Sequence, residues 1–145
     1  MATTTAAITL TSSDLLTNAL ALSSTSTCYK AGTTTGLDGI QYEKLEIASG
    51  TQYDIVDATA AGANKANKVY VINKHTDVTK YIEVYIAALQ IGRLYAGDWM
   101  FIPLEAAPAG TSPETYLQDV SLKAISTAQV VEFALIHEGK TLATS

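Results

Sequence analysis

The side chains best suited to chemistry in this chain are two histidines, one cysteine and a few close pairs of acidic residues. His75 and His137 have no second histidine or cysteine at a metal-ligand spacing, and catalysis by histidine requires an oriented partner. Cys28 is the single cysteine, so neither an internal disulfide nor a multi-thiolate metal site can form. We therefore expect both histidines to be structural or exposed and Cys28 to be a small structural residue.

Paired carboxylates and glycine-rich loops, two other signatures of reactive sites, are weak in this sequence. Asp54 and Asp57, like Glu43 and Glu46, lie three residues apart in strand-like segments, where such side chains point to opposite faces. Residues 32–36 are glycine-rich but lack the Gly-Lys-Ser/Thr ending and the following helix of a phosphate-binding loop. The sequence contains no Gly-x-Ser-x-Gly motif. These observations predict that the protein is not an enzyme and uses no cofactor or metal ion.

Composition argues against two further classes of partner. Nine basic and 14 acidic residues give a net charge of -5, whereas nucleic-acid binding relies on a basic surface. No stretch approaches about 20 consecutive apolar residues, so we expect no membrane span, and the N-terminus lacks the features of a secretory signal. Only 16% of residues are charged and threonine occurs 20 times. Such a neutral surface suits close contact with neighbouring subunits, or belongs to an ordinary β-domain.

Alternating segments separated by turn signals predict the elements that position these residues. Ile82, Val84 and Ile86 alternate with polar or aromatic residues and are expected to face inward. Tyr81 and Tyr85 then share the opposite face, which makes them candidates for contact with a second layer or a partner. Plain cross-strand pairing is the alternative account of these two tyrosines.

About nine short strands recur at intervals near ten residues, with no long helical segment. This spacing predicts an all-β fold, specifically an antiparallel β-sandwich of jelly-roll type. Residues 96–98 predict a tight hairpin between two strands, and a change of phase within residues 40–47 predicts a bulge or a break. Residues 58–68, which include Lys65 and Lys68, are expected to form an exposed loop, with contact to an acidic neighbour as the alternative.

We expect three parts along the chain: a flexible N-terminal arm at residues 1–7, one sandwich domain at 8–138, and a short C-terminal tail at 139–145. The arm has little apolar surface with which to offset the entropy lost on ordering. Thr3, Thr4 and Thr5 are therefore expected to become ordered only against another chain, and they are candidate interface residues.

The segment from Ile91 to Pro103, IGRLYAGDWMFIP, resembles a pattern in small β-sandwich virion proteins of tailed bacteriophages. These include capsid decoration (cement) proteins and head-fibre-like proteins. In that pattern a strand ending Gly-x-Leu meets a Pro-Gly-Asp or similar turn, followed by an aromatic strand ending in proline; Ala96 stands where proline is common. Residues 119–124 and 130–135 are similar to the closing hairpin of the same proteins, so the resemblance spans about Val69 to Glu138.

The resemblance implies a structural virion protein made in the host bacterial cytoplasm, with no catalytic residues. It would bind the major capsid protein on the capsid exterior as a homo-oligomer. A tail or fibre component of the same particle is the nearest alternative. A carbohydrate- or ligand-binding module is another, in which Trp99 and the tyrosines form a stacking surface. Trp99 exposed in a groove favours that module, whereas a covered Trp99 favours a packing role.

Overall fold

The computed structural model describes residues 3–14, 20–30, 32–37, 39–57, 66–105 and 119–138, which form ten β-strands. The strands are β1 (Thr5–Ser12), β2 (Leu20–Thr27), β3 (Gly39–Ile47), β4 (Gln52–Val56), β5 (Ala66–Asn73), β6 (Tyr81–Ile86), β7 (Leu89–Tyr95), β8 (Trp99–Glu105), β9 (Val120–Ala124) and β10 (Gln129–His137). All pairings between them are antiparallel. Across the described ranges, no helix is long and apolar enough to span a bilayer.

Eight of the strands form a sandwich of two four-stranded sheets. The first sheet has the order β3-β10-β5-β8 and the second has the order β4-β9-β6-β7. The eight strands resemble one long hairpin folded over itself, because their pairs are nested along the chain. From the outermost to the innermost, the pairs are β3/β10, β4/β9, β5/β8 and β6/β7. This order is that of a jelly roll, and it confirms the fold class predicted from strand spacing.

One apolar core lies between the two sheets. Alternate residues of β5 and β10 face residues of β6 and β9, because successive side chains of a strand point to opposite faces. Ile82 and Val84 are fully buried as predicted, and Ile86 is partly buried against the same core. The fully buried members include Val69, Val71, Val131, Ile82, Val84, Val120, Leu122 and Ala124.

The turn at residues 96–98 joins the two sheets, so the predicted hairpin between its flanking strands is wrong. β7 belongs to the second sheet and β8 to the first. The Asp98 amide donates to the Tyr95 carbonyl (2.9 Å), which closes a tight turn, and Gly97 has a φ of +88°. The turn is held by the end of β5, where the Gly97 amide donates to the Asn73 carbonyl (2.8 Å).

Three other details differ from the sequence-based expectations. β9 and β10 also lie in different sheets, so they do not form a closing hairpin. β3 pairs with β10 in continuous register, so residues 40–47 contain neither the expected bulge nor a break. The apparent change of phase arises because apolar Ile40 and Tyr42 lie on the exposed face of the strand. β5 begins at Ala66, so Lys68 lies in a strand, while Lys65 falls outside the described residues.

β1 and β2 form a separate two-stranded sheet, which we call the N-terminal ribbon. It begins at Thr5, which pairs with Thr27, and the Cys28 amide donates to the Thr4 carbonyl (2.9 Å). The expectation that the arm pairs only with another chain is therefore corrected for Thr4 and Thr5. β-branched threonines suit a backbone ladder even without large apolar side chains. The tail at 139–145 lies outside the described residues.

Candidate functional site

The N-terminal ribbon has two chemically different faces, because residues paired across an antiparallel ladder point to the same side. One face, which we call the apolar face, carries Ala6, Ile8, Leu10, Leu20 and Leu22 together with Ser12, Ser24 and Ser26. The other is rich in threonine. Ile8, Leu10 and Leu22 are 42%, 48% and 56% exposed, respectively. The apolar face is therefore largely uncovered.

A cleft of about 670 Å³ lies between the base of this ribbon and the outer face of the first sheet. On the sheet side it is lined by Tyr70, Trp99, Phe101, Ala134 and Ile136, and on the ribbon side by Thr4, Thr5, Ala6, Ala7, Ile8, Ser24 and Ser26. Two of these residues, Ala6 and Phe101, also pack on a small buried cluster that contains Cys28 and Ile136. The ribbon is thus anchored at its base, and its apolar face opens onto the cleft.

Trp99 lies in this cleft and is 45% exposed. Its ring stands 6.4 Å from that of Tyr70 at an interplanar angle of 36°. The position in a groove is what the ligand-binding alternative predicts. The polar side chains of the lining are hydroxyls of serine, threonine and tyrosine, and no charged or amide side chain lines the cleft among the described residues. The site is therefore best suited to an apolar, uncharged surface.

The outer face of the second sheet carries a polar cluster around Glu83, which is 8% exposed. The Tyr85 hydroxyl donates to Oε2 of Glu83 (2.7 Å), and Nη2 of Arg93 lies 3.5 Å from Oε1. The Arg93 guanidinium stands 4.6 Å from the centroid of the Tyr81 ring, which in turn lies 5.3 Å from the Tyr95 ring. Tyr81 and Tyr85 thus contact their neighbours on the same sheet.

The hydrogen bond between Tyr85 and Glu83 also affects the titration of the phenol. It raises the pKa of Tyr85 above its ordinary value of 10.0, because ionisation would remove the donated proton and place two negative charges together. Partial desolvation of the hydroxyl raises the pKa of Tyr85 further, and the nearby charge of Arg93 acts in the opposite direction. The cluster is a satisfied network of charge and hydroxyl, with Arg93 compensating Glu83.

The structure divides the five candidate interface residues between opposite outer faces of the sandwich. Thr4 and Thr5 line the cleft beside the first sheet, and Thr3 precedes them as an exposed residue. Tyr81 and Tyr85 lie on the second sheet, with the core between. The two groups therefore do not form one site.

Sequence reasoning named Trp99 as a possible stacking residue, but it missed Phe101 beside it in the cleft and the exposure of the ribbon's apolar face. The available signal for the apolar face was that Ile8 and Leu10 flank Thr9 and that Leu20 and Leu22 flank Ala21, since residues two apart in a strand share a face. The alternation gives a face but does not tell whether the rest of the chain covers it.

The histidines and the cysteine occupy structural positions. Nδ1 of His75 accepts a hydrogen bond from the Asp77 amide (3.0 Å), and the His75 amide donates to Oδ1 of Asn73 (3.0 Å). Nδ1 of His137 lies 2.8 Å from the Glu138 carbonyl oxygen, and Cys28 is 3% exposed. Among the described residues, no group of three or more His, Cys, Asp or Glu side chains is placed to hold a metal ion.

Comparison with known proteins identifies no relative. No protein-family model matches the chain, and searches of curated proteins and of solved structures find no significant match.

Proposed function

We propose that this chain is a non-enzymatic structural protein of a bacteriophage particle, a decoration protein that binds the major capsid protein on the capsid exterior. The observation that carries the proposal is the N-terminal ribbon with its exposed apolar face. Isolated two-stranded ribbons are marginally stable in water, and contiguous exposed apolar surface is typical of protein interfaces. Such a ribbon suits a chain that works by contacting other subunits.

The charge distribution supports a role in assembly. Neither strand of the ribbon contains a charged residue, so docking it would desolvate no ions on this chain. A homo-oligomer would contact the shell at several points, and the second contact forms at a high effective concentration. This effect can raise apparent affinity by roughly 10²–10⁴-fold without a large area at each contact.

The capsid location rests on the resemblance of residues 69–138 to phage decoration and head-fibre-like proteins. The turn at 96–98 crosses between sheets, so the resemblance concerns the sequence of β7 and β8 and not a hairpin. Location in a tail or fibre is the alternative within the same particle.

A second candidate function is binding of a small molecule in the cleft, and half-exposed Trp99 is the observation that favours it. Sugar-binding pockets need a few well-placed polar groups that fix orientation. The lining of this cleft offers hydroxyls as its polar side chains. The composition of the cleft therefore favours an apolar ligand over a carbohydrate.

The proposed function is tested by adding the purified protein to shells assembled without it. We expect binding that saturates at a fixed copy number per capsomer, together with a higher temperature of shell rupture. The same protein is incubated with tails and with immobilised glycans as comparisons. Failure to bind shells at micromolar concentration, or capture by tails or a glycan instead, contradicts the capsid-exterior role. The jelly-roll fold is independent of that result.

A further inference from the structure

We propose that two copies of this chain join edge to edge through β3, so that their first sheets form one continuous eight-stranded sheet. The two β3 strands run antiparallel about a twofold axis at Tyr42, which faces the Tyr42 of the second copy. This inference rests on the self-association included in the proposed function and names the strand that produces it.

Among the described residues, β3 is the one edge strand of the sandwich with neither a proline nor an irregular ladder. Prolines and bulges commonly protect sheet edges from pairing. β8 contains Pro103, and the ladders of β4 with β9 and of β7 with β6 both shift register. β3 pairs with β10 in continuous register over nine residues, and no described strand pairs with its other side. Its outward backbone groups are therefore free to pair with another strand.

The first half of β3 is apolar and exposed. All charged residues of the strand lie within residues 43–47. Ile40 and Tyr42, on the outer face, are 66% and 63% exposed. Each has a register neighbour from β10 on one side and none from a described strand on the other. A strand added at this edge would cover both side chains.

Few registers allow β3 to pair with itself. A continuous sheet keeps outer-face residues opposite outer-face residues, so the twofold axis lies at one residue, which faces its own copy. Axes at residues 41 to 45 pair at least five residues of each strand. An axis at Glu43 or Lys44 places like charges directly opposite each other, which destabilises a sheet. An axis at Leu45 leaves Ile40 and Tyr42 unpaired.

The axis at Tyr42 gives the best match that remains. It pairs seven residues of each strand, whereas an axis at Gln41 pairs five. The two Tyr42 rings meet, and aromatic cross-strand pairs are favourable. Ile40 then faces Lys44, and Gln41 faces Glu43, so no like charges are opposed. Because β3 complements itself in this way, we assign a second copy as its partner.

The contact is narrow, so we expect it to be weak in solution. Seven residues at about 3.4 Å each form a ladder about 24 Å long. A ladder one strand wide buries less than a standard interface of roughly 1,600 Å² and belongs with weak contacts. Main-chain hydrogen bonds provide its affinity, as when an extended segment is added to a sheet edge. Copies held side by side on a shell would meet at a higher effective concentration.

The test uses the purified full-length chain without shells, with its mass measured by sedimentation equilibrium up to about 1 mM. We expect the mass to double with a midpoint of about 0.1–1 mM. Ile40→Lys places a lysine opposite Lys44 twice in the dimer and is expected to raise the midpoint at least about fivefold. Ile40→Glu places a carboxylate there and is expected to lower the midpoint about two- to fivefold.

Non-specific association predicts the opposite order of these variants. Ile40→Lys changes the net charge from -5 to -4, and Ile40→Glu changes it from -5 to -6. General repulsion would therefore favour association of the lysine variant. Val78→Lys is the matched control, since Val78 is 74% exposed in the turn before β6. It is expected to leave the midpoint within about twofold.

Disulfide trapping tests the register separately and does not depend on the folding of the Ile40 variants. In Tyr42→Cys the Cα atoms of the two cysteines lie about 4.5–5.5 Å apart, which a disulfide spans. In Lys44→Cys the two cysteines are offset by four residues, or about 14 Å, along the strands. Cys28 is 3% exposed, so the wild type provides a low background. We expect a cross-linked dimer of Tyr42→Cys and only background for Lys44→Cys.

Several results overturn the inference. These are a constant monomer mass, equal midpoints for Ile40→Lys and Ile40→Glu, and equal cross-linking of the two cysteine variants. A dimer that Tyr42→Cys does not trap indicates another interface and overturns it as well. Shell binding is measured separately, so a chain that stays monomeric yet coats shells contradicts the β3 contact alone. A chain that dimerises yet does not coat shells contradicts the capsid role alone.

Discussion

The side-chain amide of Asn73 donates a hydrogen bond to Oε1 of Gln129 across 3.2 Å in the buried interior. The same amide donates to the Leu94 carbonyl (3.0 Å), and Oδ1 of Asn73 accepts from the His75 amide (3.0 Å). Leu94 belongs to the second sheet, whereas Asn73 and Gln129 belong to the first. One buried asparagine therefore links the two sheets next to the turn at 96–98.

Replacing Asn73 with alanine is expected to lower the free energy of unfolding by about 3 kcal/mol, because buried groups on both sheets lose their partner. Lys74→Ala changes the next, exposed residue and is expected to stay within about 0.5 kcal/mol of the wild type. Urea unfolding of the three proteins measures the difference. Equal urea midpoints for both variants would show that the Asn73 side chain does not stabilise the junction of the two sheets beside the turn at 96–98.

Gly39 is expected to reject a side chain because the His137 ring lies over its backbone. A Cβ at position 39 would overlap that ring, whereas a Cβ at Gly92 meets no atom within 4 Å. We expect Gly39→Ala to destabilise the fold by about 1–3 kcal/mol. Gly92→Ala is expected to be neutral or to stabilise by up to about 1 kcal/mol, through the lower entropy of the unfolded chain. Thermal unfolding of the two variants should rank them in this order, and the reverse order contradicts the packing of His137.

Gly97 is expected to tolerate few substitutions because its φ of +88° disfavours residues with a Cβ. Gly97→Val should cost about 1–3 kcal/mol through backbone strain. Gly97→Asn should cost less, since asparagine enters positive φ more readily than a β-branched residue. Chemical denaturation of both variants measures which of them loses more stability. A valine variant as stable as the wild type is incompatible with this turn.

The hydrogen bond between Tyr85 and Glu83 predicts a loss of stability at alkaline pH. The pKa of Tyr85 is raised in the fold, so the folded state holds the phenolic proton more tightly than the unfolded chain does. The hydrogen bond therefore contributes fully to stability below the ordinary pKa of 10.0. This contribution is lost as the pH rises through the higher pKa that Tyr85 has in the folded state.

The ionisation of Tyr85 is followed by ultraviolet absorbance over a pH titration. Subtracting the titration curve of Tyr85→Phe from that of the wild type isolates this phenol. We expect it to ionise above pH 10.0 in the wild type and at lower pH in Glu83→Gln, which lacks the carboxylate charge. Ionisation of the wild-type phenol at or below pH 10.0 contradicts the hydrogen bond.

Local alternation was enough to predict the strands, the all-β class and the inward positions of β6. Strand partners were harder, because a short turn such as 96–98 is compatible with a hairpin and with a crossing between sheets. Asn73 makes hydrogen bonds at this crossing, yet it lies at least 23 residues before the turn and has no local signal. The uncovered apolar face of the ribbon was also hard to predict, since the exposure of Leu10 and Leu22 depends on what the rest of the chain covers.

The proposed capsid role is tested most directly by an electron cryomicroscopy map of phage particles in which mass spectrometry detects this protein. We expect jelly-roll density on the outside of the shell, in contact with the major capsid protein and in a fixed number of copies per capsomer. Density for the jelly roll only in the tail or fibres, or a bare shell exterior in particles that carry the protein, would contradict the account.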